Sequence, residues 1–359
     1  MTSPVPENVP EHVLKHQLKK WKVPIVKPTR FLVVAAAASL ALTACSSNSS
    51  SSGSSPGGAA SGKKHTIGVS FDLLNAIRQA EKTSLQSAAD AAGYSLVFDV
   101  ADQDAQKQAS QIQDLIQTQK VSAVIVIAQD GQQIASSASL AKAHSVPFLA
   151  IDRSVADQQN LTFQITGDPV ADGQAVAAEF LAAAKTKPLK ILELVGGLTD
   201  QNAIGRRDGF NAALAGQPGV TIASQVPTDW DPTKALDGAS NALQKDSSIN
   251  AIYSPSDFLL PSVQSALTAA KRLAPIGDPK HVFMVTIDGD QNGCKAMKAK
   301  TLDADIATPV DEFGKQSIAA ITTALAGQPV SPKTVAAKGL TLNQANFATT
   351  SSQVWGCAS

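Results

Sequence analysis

The sequence carries no excess of either charge, with 30 lysines and arginines against 30 aspartates and glutamates. Neutralising a phosphate backbone takes a basic surplus, so no nucleic-acid partner is expected. The usual catalytic signatures are missing too. No Gly-x-Gly-x-x-Gly follows the first strand-like segment, and there is no Walker lysine loop. No Gly-x-Ser-x-Gly elbow joins a strand to a helix, and no His-Glu-x-x-His pair occurs. Downstream of residue 64 there are three histidines, His65, His144 and His281, each at a strand edge or helix end, where solvated surface positions are expected. With no triad and no cluster of ligating side chains, hydrolysis and metal catalysis are poor candidates, and no cofactor or metal is implied. Aromatics make up 4% of the chain and alanine is abundant, which suits helices packed on a sheet.

What is present begins with a targeting pattern. Lys15, Lys19, Lys20, Lys22, Lys27 and Arg30 form a long basic region. The apolar segment that follows, Phe31 to Ala44, is short for a membrane span and ends at Leu42-Thr43-Ala44-Cys45. That tetrapeptide resembles the lipobox of bacterial lipoproteins, which implies cleavage before Cys45 and a diacylglycerol on its sulfur. The other reading is a plain anchor helix with an incidental cysteine. Ser46 to Gly62 is almost wholly Ser, Gly, Asn, Ala and Pro, a composition that cannot bury a core. We read residues 1–45 as a lipoprotein signal peptide and 46–64 as a flexible tether. The rest would then be displayed on the outer face of a cytoplasmic membrane.

From Thr66 onward, apolar strand-like runs alternate with segments of helical periodicity, the signature of a doubly wound parallel sheet. Ile67, Val69 and Phe71 alternate as a first strand; a helix through Ile77, Leu85 and Ala92 stops at Gly93. The rhythm restarts near Leu161 to Thr166 and runs on to Ala307. A last helix, Glu312 to Leu325, and a short strand near Gly339 to Leu342 are too little for a third domain and should return to the existing lobes. The expected organisation is two α/β lobes joined by a multi-strand hinge, one of residues 65–166 plus 309–337, the other of 167–308 plus 338–359. A length of 359 residues permits two such cores.

Two apolar runs end in acids. Val146 to Arg153 closes on Asp152-Arg153, and Val282 to Asp288 closes on Asp288. In open α/β sheets ligands bind beyond the carboxyl ends of such strands, so two strand-end acids in two halves point to a shared cleft. They could equally cap the turns that follow. Cys294 and Cys357, an even pair beyond the lipobox, read as a disulfide pinning the C-terminal tail or as two free thiols. Asp, Asn, Arg and an aromatic at loop positions are the inventory for a small polyhydroxylated ligand. Carboxylates accept from hydroxyls, arginine donates in a fork, and an indole covers C–H surface.

On these residues the chain from Lys64 to Leu342 resembles the ribose-type periplasmic sugar-binding proteins, the solute receptors of bacterial ABC importers (type I periplasmic binding protein fold). The resemblance rests on Asn75 ahead of a helix ending Ala91-Ala92-Gly93-Tyr94, on Asp152-Arg153, and on Asn202 to Phe210, with its arginine before a Gly-Phe. It rests also on Thr228-Asp229-Trp230-Asp231, on Ser254 to Asp257, and on Ile287-Asp288-Gly289. It implies ligand contacts at Asn75, Asp152, Arg153, Arg206, Trp230 and Asp288, and Arg78 and Ser256, which stand at family contact positions with other side chains, join them as candidate ligand-binding residues. The first helix departs from the family, carrying Ile77 and Arg78 where ribose receptors have two phenylalanines. Ser256 replaces an asparagine, Thr308 a glutamine and Ile127 a polar residue. Half the aromatic sandwich is absent and one cation is added, so a polyol or an anionic ligand also becomes credible. Arg78 either meets that ligand or is neutralised by Asp72. The resemblance implies a non-enzymatic, monomeric receptor whose partners are a monosaccharide or polyol and a membrane-embedded ABC permease. The alternative is a sensory module presenting its closed form to a signalling receptor.

Overall fold

The computed structural model describes residues 65–357. The expectations at Cys45 and for residues 1–64 lie outside them. Chain order in the first half is β1 (Thr66–Phe71), α1 (Ala76–Ala92), β2 (Ser95–Val100), α2 (Ala105–Gln117), β3 (Ala123–Val126), α3 (Ala135–Ala143), β4 (Phe148–Asp152) and β5 (Phe163–Gly167). The second half follows as α4 (Pro169–Ala184), β6 (Leu189–Val195), α5 (Gln201–Leu214), β7 (Val220–Pro227), α6 (Pro232–Lys245), β8 (Ala251–Tyr253), α7 (Leu260–Ala269), β9 (Phe283–Asp288), α8 (Gln291–Lys298) and β10 (Ala304–Ala307). It closes with α9 (Val310–Leu325), β11 (Thr334–Ala337), β12 (Leu340–Asn343) and a one-turn α10 (Phe347–Thr350).

The strands form two six-stranded sheets, ordered β11-β5-β4-β3-β1-β2 and β12-β10-β9-β8-β6-β7. All pairings in the first are parallel, whereas β12 lies antiparallel to β10 at the edge of the second. Both faces of each sheet are covered, which is why central strands such as β3, β4 and β8 are near-continuous apolar runs, while the edge strands β7 and β11 alternate in exposure. On the first sheet, Ile67, Val69 and Phe71 pack with Leu85 of α1 and with Phe313 and Ile321 of α9. Its opposite face joins Val124 and Phe148 to Ile112 and Leu115 of α2 and Ala138 of α3. The second sheet has α4 and α5 on one side, through Phe180 and Phe210, and α6, α7 and α8 on the other.

Helix starts are set by short polar side chains. Asn75, Asp104, Asp168, Asp200, Asp231 and Asp290 each accept from main-chain N–H groups of the first turn, satisfying donors that the helix leaves over. Gly93 ends α1 in the left-handed conformation at φ 75°. The chain crosses between the lobes three times: from β5 into α4, from β10 into α9, and from β11 into β12.

Two features differ from the sequence expectations. Thr334–Ala337 is a strand, although its half-exposed edge position left no apolar run to mark it. His281 is not a solvated surface histidine: its ring bonds Asp303 and the Ala274 carbonyl, both at 2.9 Å. Cys294 and Cys357 are joined, with Cα atoms 5.3 Å apart. The same tail is tied to the end of β9, where the Trp355 indole N–H donates to the Asp288 carbonyl at 2.9 Å and the Gly356 N–H to the Gly289 carbonyl at 3.1 Å.

Helices α4 and α5 approach unusually closely because glycines face the contact. A Cβ on Gly173 would collide with the Arg206 carbonyl oxygen, and one on Gly209 with the Val170 carbonyl oxygen. Neither neighbour is a flexible side chain, so a methyl group must push the helices apart. Gly209→Ala is therefore expected to cost about 1–3 kcal/mol. Thermal unfolding should record a drop of several degrees, and a variant melting with the wild type would show that the approach is not tight.

Candidate functional site

The carboxyl ends of the two sheets face each other across a cleft, and the loops above them supply its lining. The chamber between them has a volume of about 30 Å³ and is bounded by Asn75, Ile77 and Arg78 of the β1–α1 region, Asp152 and Arg153 at the end of β4, Asp200 at the cap of α5, and Asn202 and Arg206 on α5. Leu73, Trp230, Ser256, Phe258 and Asp288 complete it. All eight candidate ligand-binding residues are thus brought together around one space.

Charge dominates this lining. Arg78, Arg153 and Arg206 are only 4, 6 and 5% exposed, a burial that arginine tolerates when its donors are taken. Arg78 meets three carboxylates: its Nε donates to Asp72 at 2.8 Å, its Nη1 forks onto Glu81 at 3.1 Å, and the same Nη1 lies 2.8 Å from Asp152. Neutralisation by Asp72 is therefore part of what the structure contains, and Nη2 is the donor left for another partner. Arg153 pairs with Asp72 at 2.9 Å and reaches across the cleft to Asp200 at 3.3 Å. A second cross-cleft contact joins the Asn202 amide to Asp152 at 3.2 Å. Within the second lobe, Arg206 donates to Asp288 at 3.1 Å and to the Pro255 carbonyl at 2.8 Å, while the Ser256 hydroxyl bonds the other Asp288 oxygen.

The two strand-end acids share a backbone peculiarity. Asp152 has φ 60° and Asp288 φ 123°, both in the region that disfavours side chains. Trp230 (φ 59°) is held likewise. Its indole lies against Gly196 and Gly197, where any Cβ would intrude on the ring, and its N–H donates to Asp200 at 2.9 Å. Asn75 keeps both readings weighed for it, since its side-chain oxygen caps α1 through the Arg78 N–H while the residue lines the chamber.

Burial governs the protonation of these acids. It pushes the Asp288 carboxyl up to about 6 despite Arg206 and Ser256, which favour its charge. Burial also raises Asp172 to about 6, against the pull of Arg206, and sets Glu81 well above the usual carboxylate range. Asp72 goes the other way: burial opposes its charge, but Arg153 and Arg78 together hold it below its ordinary value. Behind the chamber, Asp305 accepts from the Gly289 N–H at 3.2 Å and Asp257 from the Asp290 N–H at 2.7 Å. These fully buried acids grip the turn that presents Asp288.

Sequence reading did not single out Asp200, Asn202 or Phe258. Asp200 ends a Gly-Gly-Leu-Thr loop after β6 and caps α5, the same place in the second lobe that Asn75, the cap of α1 after β1, holds in the first, and that equivalence is the signal that could have found it. Of the departures from the family pattern, Ile77, Arg78 and Ser256 line the chamber, whereas Ile127 is buried in the core beneath the first lobe's α1 and α9 face. Thr308 lies outside the lining with its N–H on the Asp288 carbonyl at 3.0 Å.

Residues 67–329 match the family model described as a periplasmic binding protein domain. Over 276 residues the chain is 30% identical to the ribose import binding protein of Bacillus subtilis, covering 77% of this chain and 86% of that one. It is 27% identical over 242 residues to the xylitol-binding protein of Mycolicibacterium smegmatis, covering 67% and 66% of the two chains. Among solved structures, a galactofuranose binding protein superposes with a TM-score of 0.75 at 20% identity, covering 81% of this chain and 98% of that one, and shares the fold. The two-lobed architecture and the match across most of the chain agree, and the chain belongs to the periplasmic binding protein family.

Proposed function

We propose that the protein is the lipid-anchored solute receptor of an ABC importer and captures a neutral monosaccharide or polyol between its lobes. The observation that carries this reading is the pairing across the cleft. Asp152 and Arg153 of the first lobe meet Asn202 and Asp200 of the second around a chamber with room for no more than a couple of water molecules. A hydroxylated ligand offers the same donors and acceptors, so it can enter an opened cleft and replace these contacts when the lobes close. The curated relatives are named for ribose and xylitol, which supports a sugar or polyol.

The charge count favours a neutral ligand over an anionic one. Asp72, Glu81, Asp152, Asp200 and Asp288 surround three arginines, and even with Glu81 holding a proton the acids are in excess. An added anion would meet arginines already paired. Asp152 and Asp288 are assigned to accept from ligand hydroxyls, Arg206 and Arg153 to donate, and Trp230 with Phe258 to cover C–H surface. Asn75 and Ser256 contribute polar edges. Arg78 holds Asp152 in place and offers Nη2. The Leu42 to Cys45 motif supports acylation at Cys45, and the joining of Cys294 to Cys357 supports a disulfide in an oxidising compartment. The residues assigned to the two lobes from sequence, 65–166 plus 309–337 and 167–308 plus 338–359, are proposed as the rigid bodies of closure.

A thermal-shift screen of the purified protein against aldoses, polyols, sugar acids and sugar phosphates tests this directly. A ligand at a hundred times its dissociation constant adds about 2.7 kcal/mol of stability. Hits are expected among neutral sugars or polyols, and hits confined to acids and phosphates would overturn the assignment. Asp288→Asn keeps the volume but removes the charged acceptor, and should weaken the ligand found by about 10-fold or more in calorimetry.

Asp288 also sets a pH dependence. Its value near 6 means that acid protonates the acceptor, so affinity should be flat above about pH 7 and weaker by roughly fourfold at pH 5.5. Stability of the ligand-free protein should move the opposite way. Between about pH 4 and 6 the folded state keeps protons on Asp288 and Asp172 that the unfolded chain has released, so lowering pH through that window raises stability. Melting and titration at pH 7.5 and 5.5 measure both, and an affinity that ignores pH would remove Asp288 from the ligand contacts.

A further inference from the structure

A second cavity, of about 190 Å³, lies beside the chamber and is likewise lined by both lobes. One ordered water needs about 10–15 Å³ on this measure, so the space is more than ten times that. Gln103, Gln129 and Arg153 come from the first lobe, and Leu198, Asp229 and Trp230 from the second. Four residues, Leu73, Arg153, Asp200 and Trp230, line both spaces, so the Arg153–Asp200 pair and the indole form a shared wall. Leu198, 53% exposed, marks the solvent side.

The lining chemistry selects the occupant. Gln129 has a buried side-chain oxygen without a hydrogen-bond partner, and Arg153 has the same at Nε. An acceptor and a donor of this kind in one cavity wall suit a molecule that both gives and takes hydrogen bonds. Anions are disfavoured, because Asp200 and Asp229 stand there and the terminal nitrogens of Arg153 are already paired with Asp72 and Asp200. Trp230 keeps its ring against Gly196 and Gly197, a fixed apolar surface of the sort that sugar C–H groups cover.

We propose that this cavity is an outer carbohydrate subsite, and that the receptor's ligand is a two-unit glycoside with one unit in the inner chamber and the second here. The inference rests on the sugar-receptor reading above and extends its ligand from one sugar unit to two. Across the Arg153–Asp200 wall, a glycosidic oxygen would displace that pair and accept from Arg153, and a neighbouring ring hydroxyl would donate to Asp200.

Calorimetric titration of the purified protein with aldopentoses, aldohexoses, their methyl glycosides and disaccharides built from them is the test. At least one disaccharide should bind 10-fold or more tightly than either of its component sugars. Gln129→Leu, which removes the unpaired acceptor, should lower the ratio of disaccharide to monosaccharide affinity about fivefold. Gln103→Ala, an exposed change, should lower it in the same direction. Monosaccharides that bind while no disaccharide exceeds them would overturn the subsite and leave the receptor standing. A ratio unmoved by both variants would overturn it as well. Silence towards every carbohydrate would remove both.

Discussion

Desolvated charge is the constraint on which this structure turns. Three arginines and their carboxylates sit at the lobe interface with almost no contact with water, and burial of that kind costs several kcal/mol per ion unless each charge is paired. The pairing within each lobe is nearly complete: Arg78 on Asp72 and Glu81, Arg206 on Asp288. What each lobe lacks is supplied by the other, through Arg153 to Asp200 and Asn202 to Asp152. In the hinge motion proposed above, closure is favourable only while the cross-cleft partners, or a ligand that imitates them, are in place. Opening in that motion would return those groups to water, so the two proposed states would differ by a balance of hydration and pairing more than by apolar area.

The scaffold spends its unusual features on fixing this network. The glycine contact between α4 and α5 sets where Arg206 and Asn202 emerge, and the buried Asp257 and Asp305 hold the turn after Asp288 from behind. From the other side the C-terminal tail grips the same turn through Trp355, Gly356 and the Cys294–Cys357 link. A carboxylate held at φ 123° needs such support, because the unconstrained chain would relax towards an ordinary conformation.

Much of this was legible in the sequence, for identifiable reasons. Asp152 and Asp288 stood out because each breaks an apolar run, and a buried parallel strand leaves just that mark. The alternation of elements gave the fold class for the same reason. Asp200 was hidden because it doubles as the N-cap of α5, and a capping aspartate looks the same whether or not it also meets an arginine from another lobe. The setting of Arg78 was half visible. Asp72 could be named as a partner, but Glu81 at i+3 reads like any exposed helical pair until tertiary packing seals it. The β11 strand escaped because a four-residue edge strand with alternate exposure carries too little hydrophobic signal.

The three crossings between the lobes bear on how the molecule is made. The first sheet takes its last strand from residues 334–337 and one of its covering helices from 310–325, while the second takes its edge strand from 340–343. A chain emerging N-terminus first therefore cannot finish either lobe until nearly all of it is available. The segment up to Gly167 must wait with one face of its sheet covered by α1 alone, since Phe313 and Ile321 arrive more than 140 residues later. Loop closure over that distance makes assembly late and concerted rather than lobe by lobe. A topology that is completed so late suits a chain that must be threaded through a narrow export channel before it locks.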